Sequence, residues 1–206
     1  MVGILDLNLG NLRSVYNAVY NLGFDAAYIK APEDIMSADR IILPGVGNFS
    51  AAMAYIRENG FEEAIQAFAN TGRPVLGICL GMQLLAGVGE EGGDIAGLNL
   101  IRGSIRKLSP EASCRLPHIG WNNVEFVSKH PVFNGVRNNS DFYFVHSFAY
   151  CDAGDSAVIG VTEYGGERFG SVIAAANIIG FQFHPEKSQV HGLKLLDNYC
   201  GWSGKC

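Results

Sequence analysis

An α/β fold built on a mostly parallel, doubly wound sheet is what this sequence predicts, and three observations carry the prediction. Up to Ala86, short apolar runs alternate with stretches of helical spacing. A cysteine framed by glycines, "GICLG", stands where one apolar run gives way to the next helical stretch. Beyond Ala86 the chain turns to β-like runs separated by turns, which extend the same sheet.

The elements follow in order. "VGILDL" at 2–7 is a short apolar run and reads as a buried strand. The next segment places Leu12, Val15, Tyr16, Val19 and Leu22 on one helical face, with Gly23 as its stop. "AAYIK" at 26–30 and "RIILPG" at 40–45 read as strands, followed by a helical stretch over about 49–68 that Gly60 can break. "PVLGI" at 74–78 is the next strand and "MQLL" at 82–85 the opening of a helix. "GVGEEGGDIAG" at 87–97 reads as a glycine-rich loop. Six β-like runs then occupy 100–108, 121–127, 141–150, 157–165, 170–176 and 177–184, and a helix over about 188–199 closes the chain. No internal repeat or low-complexity segment interrupts this pattern, so the 206 residues read as one domain.

Composition narrows the function. With 48% hydrophobic and 17% charged residues the chain is globular. A net charge of −5 with scattered basic residues gives nucleic-acid binding no support. No apolar run approaches a membrane span, and the N-terminus reads as a strand rather than a signal peptide. Five widely spaced cysteines and no C-x-x-C pair argue against a disulfide framework and a zinc site. A reducing cytoplasm is the expected compartment.

The chemistry centres on Cys79. Strand, Gly-x-Cys-x-Gly, helix is the thiol counterpart of the nucleophile elbow. The turn is too sharp for side chains at 77 and 81, hence Gly77 and Gly81. It lifts the sulfur above the sheet, beside a helix N-terminus that favours thiolate, and the Leu80 N–H can help hold an oxyanion. A thiolate nucleophile needs a base, and the chain has five histidines: His118, His130, His146, His184 and His191. Only His184 has a carboxylate in useful register. "GFQFHPEKS" sets Glu186 two residues on, on the same side of an extended chain that Pro185 keeps extended. "PGVG" at 44–47 lets backbone N–H groups approach a substrate oxyanion between a strand and a helix.

Taken together, PGVG, G-I-C-L-G-M-Q and F-H-P-E resemble the class I (triad) glutamine amidotransferases. Within that class "GNLRSV", "LPGVGNF", "PVLGICLGMQLL", "PHIGWNNV", "YFVHSFAY" and "GFQFHPEKS" are similar to the glutaminase subunits of imidazole glycerol phosphate synthases, over essentially the whole chain. Asp6-Leu7-Asn8 departs from the Asp-Tyr-Gly or Asp-Thr-Gly common there. The resemblance implies a flavodoxin-like fold and a Cys79–His184–Glu186 triad that hydrolyses glutamine through a γ-glutamyl thioester. It further implies that Gly47 and Leu80 contribute main-chain groups at the oxyanion, with the Val46–Gly47 peptide able to move. Gln83 would contact glutamine by its side chain, and Ser147 and Phe148 by their backbone. His118, Trp121, Asn122 and Lys187 fall in segments that face a cyclase-like synthase subunit, the heterodimer partner that receives the ammonia. Trp121 by itself reads equally as a core or an interface residue. No metal and no organic cofactor are implied. Other readings on the same elbow are a paralogue supplying ammonia to a surface-polysaccharide sugar precursor, a freestanding thiol hydrolase, and a non-catalytic regulatory subunit.

Overall fold

A computed structural model describes residues 1–112, 114–152 and 154–205. Its first half is a parallel sheet with helices on both faces. Strand β1 (Val2–Leu5) leads through helix α1 (Leu12–Asn21) to β2 (Ala26–Ile29), and a short 3-10 segment, Pro32–Ser37, precedes β3 (Arg40–Gly45). Helices α2 (Phe49–Glu58) and α3 (Phe61–Asn70) then lead to β4 (Val75–Cys79) and α4 (Leu80–Leu84). Gly60 divides α2 from α3 as the sequence suggested, with φ +72° where other residues are strained. The Asn48 side chain caps α2 by accepting from the Ala51 N–H at 3.0 Å.

The stretch read as a glycine-rich loop is instead a small antiparallel pair, β5 (Val88–Gly89) and β6 (Ile95–Ala96). Two residues per strand are too few for a periodicity to register in the sequence. The β-rich half follows as β7 (Ser104–Lys107), β8 (His118–Phe126), β9 (Ser140–His146), β10 (Phe148–Tyr150), β11 (Val158–Tyr164), β12 (Glu167–Ala175) and β13 (Ile178–Phe181). Helix α5 (Gln189–Gly201) ends the chain.

All strands belong to one sheet, in the order β2-β1-β3-β4-β13-β12-β10-β7-β5-β6, with β11, β8 and β9 branching from β12. The segment β2-β1-β3-β4-β13 is parallel throughout, which is the flavodoxin-like order. β12 reverses direction against β13 and joins this parallel core to a remainder that is antiparallel except for the β5–β7 pair. Because strand side chains alternate, each central strand feeds two cores. Ile41 and Leu43 of β3 pack with Met53, Ile56, Ile65 and Phe68 of α2 and α3. Ile42 between them packs with Val15 and Val19 of α1 and Leu195 and Leu196 of α5. The sheet is thereby held rigid, and the loops at the C-terminal ends of β1, β3, β4 and β13 converge on one place. Among the described residues no helix is long and apolar enough to cross a membrane.

Candidate active site

Cys79 is the last residue of β4 and takes φ 53° and ψ −108°, backbone angles that a residue with a side chain rarely adopts. The flanking glycines explain how the chain accommodates it. A Cβ at Gly77 would lie 2.5 Å from the Gly81 carbonyl oxygen, and one at Gly81 would run into the Leu43 carbonyl of β3. The elbow closes on itself and on the neighbouring strand with no space for a side chain at either position. α4 is only five residues long and wholly buried, so it supplies the amides of a single turn rather than a long dipole.

His184 lies three residues past the end of β13 and is fully buried. Its Nδ1 is 2.8 Å from Glu186 Oε1. The sequence reading assigned this pairing to an extended chain; the structure corrects the reason. Pro185–Lys187 forms one 3-10 turn, and it is the turn that brings Glu186 back onto the ring. β9 pins the turn from outside. The His184 N–H donates to Tyr143 O at 2.9 Å, and Ser188 Oγ donates to His184 O while accepting from the Tyr143 N–H.

A residue the sequence reading passed over completes this side. Asn11 precedes α1 at φ 60°, and its side chain does not cap the helix. Its Nδ2 donates instead to Glu186 Oε1 at 2.6 Å and lies 3.2 Å from His184 Nδ1. Only tertiary contact between α1 and the distant 184–188 turn reveals this, so a lone Asn in a helix start carried no signal. With Nδ1 engaged, Nε2 is the ring nitrogen left for Cys79, and it makes no hydrogen bond among the described residues. Burial pushes the His184 pKa down, but interactions with Cys79 and then Glu186 outweigh it and raise it to about 9. The imidazolium is therefore the favoured form beside the sulfur at neutral pH.

Cys79 opens onto a cavity of about 240 Å³. Val46, Gly47, Leu80, Gln83, Ser147 and Phe148 all line it, so every residue expected around glutamine comes to one place. Glu91, from the β5–β6 connection, lines it too and was not foreseen; its Oε2 also accepts from the Phe49 N–H at 2.8 Å. The Val46 N–H is turned away, donating to Leu9 O at 2.8 Å. A larger open hollow of about 800 Å³ along 126–138 shares none of its described lining residues with the triad or with the cavity at Cys79.

The residues expected at a partner surface separate. Trp121 is 49% exposed and meets Tyr143 edge-on, with Lys187 Nζ 5.9 Å from the Tyr143 ring. Asn122 is half-buried, its Nδ2 donating to Glu163 O at 2.8 Å. His118 is buried behind that face, between the rings of Tyr164 and Phe144, with its Nε2 3.4 Å from Asn122 Nδ2. Among the described residues no cluster of three or more His, Cys, Asp or Glu could hold a metal ion.

Comparisons with known proteins bear on the family and the fold. Residues 4–200 match the sequence model of the family described as glutamine amidotransferase class-I. The chain is 44% identical over 198 residues to the imidazole glycerol phosphate synthase subunit HisH of Moorella thermoacetica, covering 96% of this chain and 93% of that one. It is 45% identical over 203 residues to the HisH subunit of Sulfurimonas denitrificans, covering 97% of each. Among solved structures, PurLQS from Thermotoga maritima superposes with a TM-score of 0.75 at 19% identity, over 97% of each chain. A structure described as a glutamine amidotransferase gives 0.74 at 19% identity, over 98% and 99%. At such identities the two structures speak for the fold alone.

Proposed function

The chain belongs to the class-I glutamine amidotransferase family, and from that premise we propose that it is the glutaminase subunit of an imidazole glycerol phosphate synthase. The observation that carries the chemistry is a buried Cys79–His184–Glu186 arrangement at the wall of a glutamine-sized cavity. Cys79 Sγ, its proton held by His184, attacks the glutamine side-chain carbonyl carbon. The oxyanion that forms is met by the Leu80 and Gly47 main chain. His184 gives its proton to the departing nitrogen, ammonia leaves, and a γ-glutamyl thioester remains. His184 then takes a proton from water, which attacks the thioester; the sulfur departs as thiolate and glutamate is released. Glu186 and Asn11 hold the imidazole in one orientation throughout.

The amide of Gln83 and the backbone of Ser147 and Phe148 orient the substrate. The exposed group of Trp121, Tyr143 and Lys187 supports docking of a synthase subunit immediately outside the triad, so that ammonia passes into that partner. The similarity to HisH subunits along nearly the full length supports histidine synthesis as the pathway served.

Labelling with 6-diazo-5-oxonorleucine tests the nucleophile, since a glutamine analogue should modify Cys79 alone among the cysteines. Complementation of a histidine auxotroph lacking its own glutaminase subunit, with the cognate synthase co-expressed, tests the pathway. Growth is the expected outcome. Failure with a verified, assembled complex would move the assignment to amination of a sugar precursor.

A further inference from the structure

We propose that Gln182 is a catalytic residue of this glutaminase, donating its side-chain N–H to the Cys79 sulfur. The proposal rests on Cys79 being the nucleophile and adds a group that touches the reacting atom. Gln182 follows β13, is completely buried, and sets Nε2 3.9 Å from Cys79 Sγ.

An amide side chain can be turned end for end, so its orientation has to be argued from its neighbours. Here they leave no choice. Gln83 Nε2 lies 2.8 Å from the Phe148 carbonyl, which only accepts, so Gln83 must present its amino group there. The second N–H of that same group goes to Gln182 Oε1 at 3.2 Å. Gln182 must then show its own amino group to the sulfur. Turning Gln182 over would set two amino groups against each other on one side and an oxygen against the sulfur on the other.

The Phe148 carbonyl is itself fixed. It also accepts from His146 Nδ1 at 2.9 Å, which makes His146 Nε2 an acceptor, filled by His118 Nδ1 at 3.1 Å. His118 Nε2 in turn accepts from Asn122 Nδ2 at 3.4 Å. Both rings stay neutral, because burial pushes the His118 pKa down to about 4 and that of His146 to about 3. Every donor and acceptor from Asn122 to the sulfur has one assignment.

Besides the His184 ring, the sulfur has among the described residues two hydrogen-bonding neighbours of opposite preference. Val145 O, 3.8 Å away, accepts from the thiol and favours the protonated form. Gln182 Nε2 donates and favours the thiolate. It serves twice in a cycle: when the thiolate attacks, and when sulfur leaves the thioester as thiolate again. At the first step His184 hands its proton on to the departing nitrogen; at the second it has just taken one from water, so the imidazolium and the fixed Gln182 N–H face the departing thiolate together.

The test reads the thiolate directly rather than through glutamine turnover. Alkylation of Cys79 by iodoacetamide, followed by mass spectrometry across pH 5–10, should move to higher pH in Gln182→Met and in the isosteric Gln182→Glu. Loss of one charge-assisted donor predicts about a tenfold smaller thiolate fraction near neutral pH. In the unsubstituted, ¹⁵N-labelled chain the Gln182 side-chain amide protons should shift downfield as Cys79 ionises, a readout that needs no variant to fold. A profile unchanged from wild type in either folded variant, or an amide signal indifferent to the thiol, overturns the proposal. Failure of the nucleophile assignment would look different: Cys79→Ala would keep glutamine hydrolysis whatever the Gln182 variants did.

Discussion

At the scale of single residues, the triad members should fail to different degrees. Cys79→Ala should abolish glutaminase activity with the fold intact, because among the described residues no other side chain lining the cavity is a thiol. His184→Asn removes the proton carrier, a contribution of typically 10²–10⁴-fold. Glu186→Gln should cost less, since Asn11 still holds an oxygen at that position. Steady-state glutamine hydrolysis by the assembled complex orders the three; a His184→Asn enzyme near wild type would reassign the base. The charge itself is also measurable. The folded pKa of His184 is raised from 6.5 to about 9, so the favourable interaction is complete below pH 6.5 and is lost as pH rises through 9. Removing the Glu186 charge should lower the His184 titration midpoint, as followed by NMR of the imidazole carbons. Cys79, His184 and Glu186 were legible in the sequence because a strained elbow and an H-P-E turn each leave a local imprint. Asn11, Glu91 and Gln182 were not, because their roles come from tertiary contacts that no local spacing marks, even where, as for Gln182 in "GFQFHPEKS", the segment itself stood out.

At the scale of elements, the elbow is a steric fact before it is a chemical one. Gly81→Ala would push a methyl group into the Leu43 carbonyl of β3, and neither backbone has slack in a buried parallel pair. We expect a loss of more than about 3 kcal/mol, which for a chain of this size is roughly 6–12 °C in Tm, or no soluble protein. A thermal melt unchanged by Gly81→Ala would contradict the described turn. The loop after β3 makes a second prediction. While the Val46 N–H is held by Leu9 O, the 44–47 loop rests in one arrangement. The isolated chain should therefore be a poor glutaminase. Assembly with the synthase and its acceptor should accelerate it by about 10²–10³-fold, the contribution of one oxyanion donor. Equal rates alone and in complex would remove the need for any such change. The strands and long helices were readable because each spans enough residues to show a period of 2 or 3.6. The two-residue strands β5 and β6 and the 3-10 turn at 185–187 are set by tertiary contacts, and no period marks them.

At the scale of the whole molecule, acid should be the weak side. Burial lowers the His118, His130 and His146 pKa values to about 4, 4 and 3. The folded chain keeps them neutral while the unfolded chain binds protons from about pH 6.5 downward. Stability should fall as pH drops through that window and level only below the folded values. Urea midpoints between pH 7 and pH 5 test the sign. His130→Asn should flatten the dependence, since Asn can still accept from the Val132 N–H that His130 Nδ1 now receives. Docking belongs to this scale as well: Trp121→Ala should weaken assembly with the synthase, measured by titration calorimetry, without lowering Tm. The two tryptophans stand in opposite environments. Trp202 is 4% exposed against His130, while Trp121 is half in water beside Tyr143. The chain thus carries a built-in optical probe: excited at 295 nm, its emission is the sum of a blue, protected indole and a red, hydrated one. A subunit covering the mouth of the site would turn the second blue and leave the first unchanged.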